Sequence, residues 1–281
     1  MENTAYPRIK QAVLLCLLLI VFLSTVGLLL GIIQSVFKLS DTSVWAGILN
    51  IFFNLISFGI VLLIGFRKTE RNFNDVFKLN GVSPVLWIAA VIFSIGLVIV
   101  SSELDNWFGF ILPMPEFLRN IFDNMAGNQV FIVSVICVGI MPAVTEELFF
   151  RGLILDGFTR NYTKRKAILI SALLFGLIHL NPWQFLTAFI VGLIAAWICI
   201  ETNSILLCMF IHFFNNTLFT ITTNFENFVP IRGFNASSSS SCEFQPLWFT
   251  LSGLAVMAIG TLMLKKGINK LKIESESIIL Y

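Results

Sequence analysis

Apolar residues in this chain do not alternate with polar ones. They gather into eight near-continuous runs, at 11–37, 42–66, 84–102, 129–158, 166–180, 183–200, 204–224 and 246–264. Each is close to the about 20 residues that carry a helix across a bilayer. Within hydrocarbon every backbone N–H and C=O needs a partner inside its own segment, so the runs are expected to be helices. The ten-residue alternation of an outer-membrane barrel is missing. The pattern predicts an all-α, polytopic membrane bundle of about eight transmembrane helices, forming a single membrane domain over 1–281. The 166–180 and 183–200 runs are the shortest pair, and their connection is tight.

Polar residues between the runs set the orientation. With the N-terminus in the cytoplasm, the inner segments hold Arg8, Lys10, Arg67, Lys68, Arg71, Lys78, Arg160, Lys164, Arg165 and Lys166. Lys265, Lys266, Lys270 and Lys272 of the tail join them, with Arg151 in the inner half of the fourth run. Fifteen of the 18 cations then face inward, leaving Lys38, Arg119 and Arg232 outside. The opposite orientation reverses that ratio, against the positive-inside rule. Both termini are therefore expected in the cytoplasm and the protein in the inner (cytoplasmic) membrane. The first run, long and without a small-x-small cleavage site, reads as a retained anchor rather than a signal peptide.

Composition agrees. The 281 residues are 57% hydrophobic and 12% charged, with mean hydropathy +0.89, whereas soluble domains are about 25% charged. The partner is thus lipid, and the net charge of +2 gives no reason to expect nucleic acid. The five cysteines form no CxxC pair and read as small apolar residues rather than a zinc or disulfide framework. Between the runs, "EFLRNIFDNM" at 116–125 is an amphipathic stretch suited to the outer interface. The "NASSSSS" at 235–241 is a low-complexity loop.

Candidate chemistry lies where ionisable groups enter these runs, at a cost of about 2.5–3.5 kcal/mol each. They are Glu146, Glu147 and Arg151 in the fourth run, His179 ending the fifth, and His212 in the seventh. Glu147 and Arg151, four residues apart, share a helical face and can pair. Glu146 points about 100° away and has no sequence-local cation. Glu146 precedes Arg160 by 14 residues and His179 follows Lys166 by 13. At about 1.5 Å per residue both stand roughly 20 Å from the same charged turn. His212 enters the bilayer from Glu201 on the next connection, and Asn216 lies one turn beyond on its face.

A carboxylate, two imidazoles and a carboxamide at similar depth suit hydrolysis. The carboxylate can take a proton from water, an imidazole can orient that water or hold a metal, and donors can meet an oxyanion. Each group also has a structural reading: a helix-fastening ion pair, a bridging histidine, a packing amide. Alternatives to an enzyme are a membrane binding factor and a proton-coupled transporter. The absence of an evident inverted repeat counts against transport.

Three motifs, Glu146-Glu147-x-x-x-Arg151, Phe175-x-x-x-His179 and His212-x-x-x-Asn216, resemble those of the CPBP intramembrane proteases. That family includes CAAX prenyl endopeptidases and the bacteriocin-processing or immunity (Abi) proteins. "SALLFGLIHLNPWQFLTAFIVGLI" and "TNSILLCMFIHFFNN" look like bacterial members. The resemblance covers about 135–220 and puts the catalytic core helices within 129–224. It implies an endopeptidase acting on membrane-associated or prenylated CAAX-like peptides or membrane proteins. Glu146 is implied as the base that activates water, with His179 helping to hold it. His212 and Asn216 are implied as oxyanion donors, Glu147 and Arg151 as support. Phe175 is expected to pack. A zinc ion held by Glu146, His179 and His212 and a metal-free reaction are both compatible with these residues. The family's non-enzymatic counterpart is an immunity factor. HExxH, Gly-x-Ser-Gly and Gly-x-Gly-Asp motifs of other intramembrane hydrolases are absent.

Overall fold

The computed structural model describes residues 5–39, 43–118, 130–225, 229–234 and 243–279. Helices occupy every one of the eight apolar runs: α1 (Ile9–Phe37), α2 (Val44–Arg67), α4 (Pro84–Ile111), α5 (Phe131–Asn161), α6 (Lys164–Leu177), α7 (Pro182–Thr202), α8 (Leu206–Asn224) and α9 (Leu247–Ile279). A one-turn helix, α3 (Phe73–Phe77), lies in the connector after α2. Most of the expected interfacial segment at 116–125, and all of 235–241, lie outside the described residues.

Local chemistry starts and stops these helices where the runs begin and end. Ser43 caps α2 by accepting from the Ala46 N–H. Asn181 caps α7 by accepting from Trp183 N–H, with Pro182 in the first position, where its missing N–H costs nothing. Asn203, at φ +50°, ends α7 in the left-handed conformation that asparagine tolerates.

Among the described residues, six helices are long and apolar enough to cross a membrane: α1, α2, α4, α5, α7 and α9. The fifth and seventh runs form helices too, but shorter ones. With 14 residues, α6 is about 21 Å long, less than the roughly 30 Å of hydrocarbon. Its first turn, Lys164-Arg165-Lys166, is also charged. The neighbouring α7 is about 31 Å long, and the four-residue linker 178–181 joins the two. His179 stands on that linker, where backbone leaves the helix and Leu180 takes φ +51°.

One end of the bundle gathers the basic connections. Asp156 of α5 binds Arg71 and Lys78. Glu201 of α7 binds Lys164 and Lys272. Asn161 donates to the Ala5 carbonyl at 2.6 Å, and Asn80 to the Asn203 carbonyl at 2.7 Å. The start of α1, the 68–83 connector, the α5–α6 turn, the α7–α8 turn and the end of α9 thus share one face. At the other end Glu103 of α4 accepts from Asn106 and from the Gln245 N–H, both at 2.9 Å.

The central helix is α4, with 56% of its apolar stretch buried, against 17% for α1 and for α9. Its contact with α9 is made by glycines. A Cβ on Gly96 would stand 2.3 Å from Met257 N, and one on Gly260 2.4 Å from Phe93 N. Small residues let backbones approach in this way where lipid gives no hydrophobic drive for association.

Candidate active site

The helix that carries both glutamates, α5, is interrupted twice. Val135–Ile140 and Leu148–Ile154 are π-helical, flanking the α-helical turns Met141–Glu147. Each widened turn shifts the phase of the side chains beyond it, and such segments often mark functional sites. Pro142 explains part of the first. It has no N–H to give the Val138 carbonyl four residues earlier. That carbonyl instead accepts from Asn216 Nδ2 of α8 at 2.9 Å. The close approach needs Gly139, where a Cβ would stand 2.6 Å from Thr217 Oγ1.

Glu147 is fully buried and faces the centre of the bundle. Its Oε1 lies 3.1 Å from Arg151 Nη1 and 2.9 Å from His212 Nδ1. The Arg151 contact is an ion pair by distance without hydrogen-bond alignment. Arg151, 1% exposed, also spreads its guanidinium 4.3 Å from the centre of the Phe175 ring. Its Nη2 donates to the Gly192 carbonyl at 3.4 Å. Phe175 is the hub: His179 and His212 both meet its ring edge-on, with centroids 5.3 and 5.9 Å away.

Each imidazole is oriented through Nδ1. His179 Nδ1 lies 2.8 Å from the Phe175 carbonyl, so it carries the proton and Nε2 is left free. His212 Nδ1 donates to Glu147, which leaves its Nε2 free as well. Neutral His212 is then an acceptor at Nε2; protonated, it is a donor there.

Glu146 turns the other way. It is half-buried and lines a cavity of about 30 Å³ with Asn50, Asn54 and Phe58 of α2 and with Cys137, Met141 and Thr145 of its own helix. Its Oε2 is buried and without a hydrogen-bond partner among the described residues. The cavity exceeds the about 10–15 Å³ that a water molecule needs. The hydroxyl of Thr145 is engaged with the Met141 carbonyl at 2.8 Å.

The structure thus joins Glu147, Arg151, His212, Phe175 and His179 into one cluster and ties Asn216 to α5. No described hydrogen bond or ion pair links Glu146 to either histidine. Nor are three His, Cys, Asp or Glu side chains grouped as metal ligands among the described residues. The four described cysteines are free thiols.

Sequence reasoning confined to ionisable groups missed Asn50 and Asn54. Two amides one turn apart inside an apolar run were the available signal. Asn54 Nδ2 donates to Asn50 Oδ1 at 2.8 Å, a pairing that the i, i+4 spacing permits.

Residues 128–218, from just before α5 to two positions past Asn216, match the family model of the type II CAAX prenyl endopeptidases, Rce1-like. That match, over about a third of the chain, supports a membrane protease of the CPBP type. No curated protein and no solved structure matched it. The matched segment contains the cluster around Phe175 together with Glu146. The α2 amides that complete the Glu146 cavity lie outside it.

Proposed function

We propose that this multi-pass membrane protein is an endopeptidase that hydrolyses membrane-associated or prenylated CAAX-like peptides, with Glu146 as the base. One observation carries the reading. Each of the two adjacent glutamates keeps a buried Oε2 without a partner, but Glu147 is fixed through Oε1 by Arg151 and His212, while Glu146 lines a cavity with room for water. A carboxylate with no cation and room for water is what a general base requires.

In this scheme water in the cavity loses a proton to Glu146 as its oxygen attacks the scissile carbonyl carbon. The carbonyl π electrons move to oxygen, giving a tetrahedral oxyanion. Protonated His212, held by Glu147 through Nδ1, offers Nε2–H to that oxyanion. Asn216 has a second amide N–H for the same purpose, its first being given to Val138. Collapse breaks the C–N bond, and Glu146 passes its proton to the departing amine. His179, with Nε2 free, is the acceptor or relay nearest the Phe175 hub. Every step uses groups of the chain, so none is routed through a metal. The basic face is assigned to the cytoplasm, and the bilayer to the cytoplasmic membrane, by the positive-inside rule.

The test is Glu146→Gln in purified protein. Glutamine keeps the shape and can still hydrogen bond, but it is no useful proton acceptor. Cleavage of a farnesylated CAAX peptide should fall at least 10³-fold, on the order of the loss of a general base, with the melting temperature near wild type. Cleavage at the wild-type rate removes Glu146 from the mechanism.

A further inference from the structure

We propose that the Asn50–Asn54 amide pair of α2 forms the second half of the water site, with Asn50 binding the nucleophilic water opposite Glu146 and Asn54 positioning Asn50. The proposal rests on the assignment of Glu146 as base and adds residues outside the family-matched segment to it.

Asn54 precedes Arg67, at the basic end of α2, by 13 residues, and Glu146 precedes Arg160, at the basic end of α5, by 14. Both are thus about 20 Å from the basic face. The two helices meet here, and Asn50, Asn54 and Glu146 line the same cavity.

Asn54 Nδ2 reaches Asn50 Oδ1 at 2.8 Å and the Asn50 carbonyl at 3.4 Å. Both N–H groups of Asn54 are thereby engaged within α2. Asn50 Nδ2 has two donors, and Asn54 Oδ1 an acceptor, with no described partner. An amide pair with one internal bond always leaves one NH₂ and one C=O over, whichever way each amide is turned.

Opposite these stands Glu146 Oε2, an acceptor without a donor. Asn50 N–H to water oxygen and water O–H to Glu146 Oε2 satisfies both sides. Polar groups left bare in hydrocarbon cost several kcal/mol, so such a bridge is strongly favoured. A water fixed by a donor on its oxygen also has its proton directed at the base, leaving a lone pair for attack. The other polar groups facing the cavity do not compete. The Thr145 hydroxyl donates to Met141, and the Cys137 thiol is turned to the Gly47 carbonyl at 3.8 Å.

Asn50→Leu, Asn54→Leu and Glu146→Gln, purified and assayed on a farnesylated CAAX peptide, test this. Asn50→Leu should lower kcat on the order of 10²-fold, the scale of a misplaced reactant, with KM within about threefold. Asn54→Leu should lower kcat about 10-fold, since Asn50 remains but swings. If Glu146→Gln is inactive while Asn50→Leu cleaves within threefold of wild type, the amide proposal is overturned and the base assignment stands. If Glu146→Gln cleaves normally, both fall together. A readout independent of turnover is the infrared carboxylate band of Glu146, identified by its loss in Glu146→Gln. Asn50→Leu should shift it by removing the water bridge, and an unshifted band rejects the bridge even for a peptide that is not cut.

Discussion

Removing the Arg151 side chain separates structural support from chemistry within one motif. Arg151 and Glu147 are 1% and 0% exposed, with Nη1 and Oε1 3.1 Å apart. Arg151→Ala would leave Glu147 buried with His212 Nδ1 as its one hydrogen-bond partner. Breaking a buried pair from one side costs about 3–5 kcal/mol. Loss of the guanidinium from the Phe175 face adds about 0.5–2 kcal/mol. Against a total stability of about 5–15 kcal/mol this is a large fraction. At roughly 2–4 °C per kcal/mol for a chain of this size, the melting temperature should drop by at least 6 °C. Tryptophan fluorescence of the detergent-solubilised protein during heating gives the measurement. The double variant Glu147→Gln/Arg151→Met removes both charges and retains an oxygen for His212, so it should recover most of the loss. An unchanged melting temperature for Arg151→Ala, or a double variant no better than the single, would refute the buried-charge argument.

Two further outcomes are expected. Gly96→Leu pushes a side chain into the Met257 and Gly253 backbone of α9, 2.3 and 2.6 Å from its Cβ position. Backbone cannot yield as a side chain tip does, so a loss beyond the about 1–3 kcal/mol of ordinary overpacking is expected, seen as an earlier thermal transition. For topology, a cysteine replacing Arg165, on the basic face, should react with a membrane-impermeant maleimide only after the cells are opened. One replacing Ser238 should react in intact cells. The reverse labelling pattern would invert the proposed orientation.

Much of this arrangement is legible in the chain itself. Eight apolar runs became eight helices because hydrocarbon leaves the backbone no other way to close its hydrogen bonds. The charge asymmetry was equally plain, and Arg71, Lys78, Lys164 and Lys272 do meet on one face. Within a helix, spacing also sufficed. Glu147 and Arg151 pair because four residues is nearly one turn, and Glu146 diverges because one residue is 100°. Relations between helices were not legible. Spacing along α8 puts His212 and Asn216 on one face, but says nothing of which glutamate that face meets. Rotation of α5 decides it, and two π-helical turns set that rotation. Length likewise concealed that α6 stops short of a full crossing and leaves His179 on a linker. The amides of Asn50 and Asn54 are ordinary polar residues in a list of letters. They become half of a cavity only when α2 docks against α5, because a helix fixes the angles between its own side chains while packing alone fixes what they face.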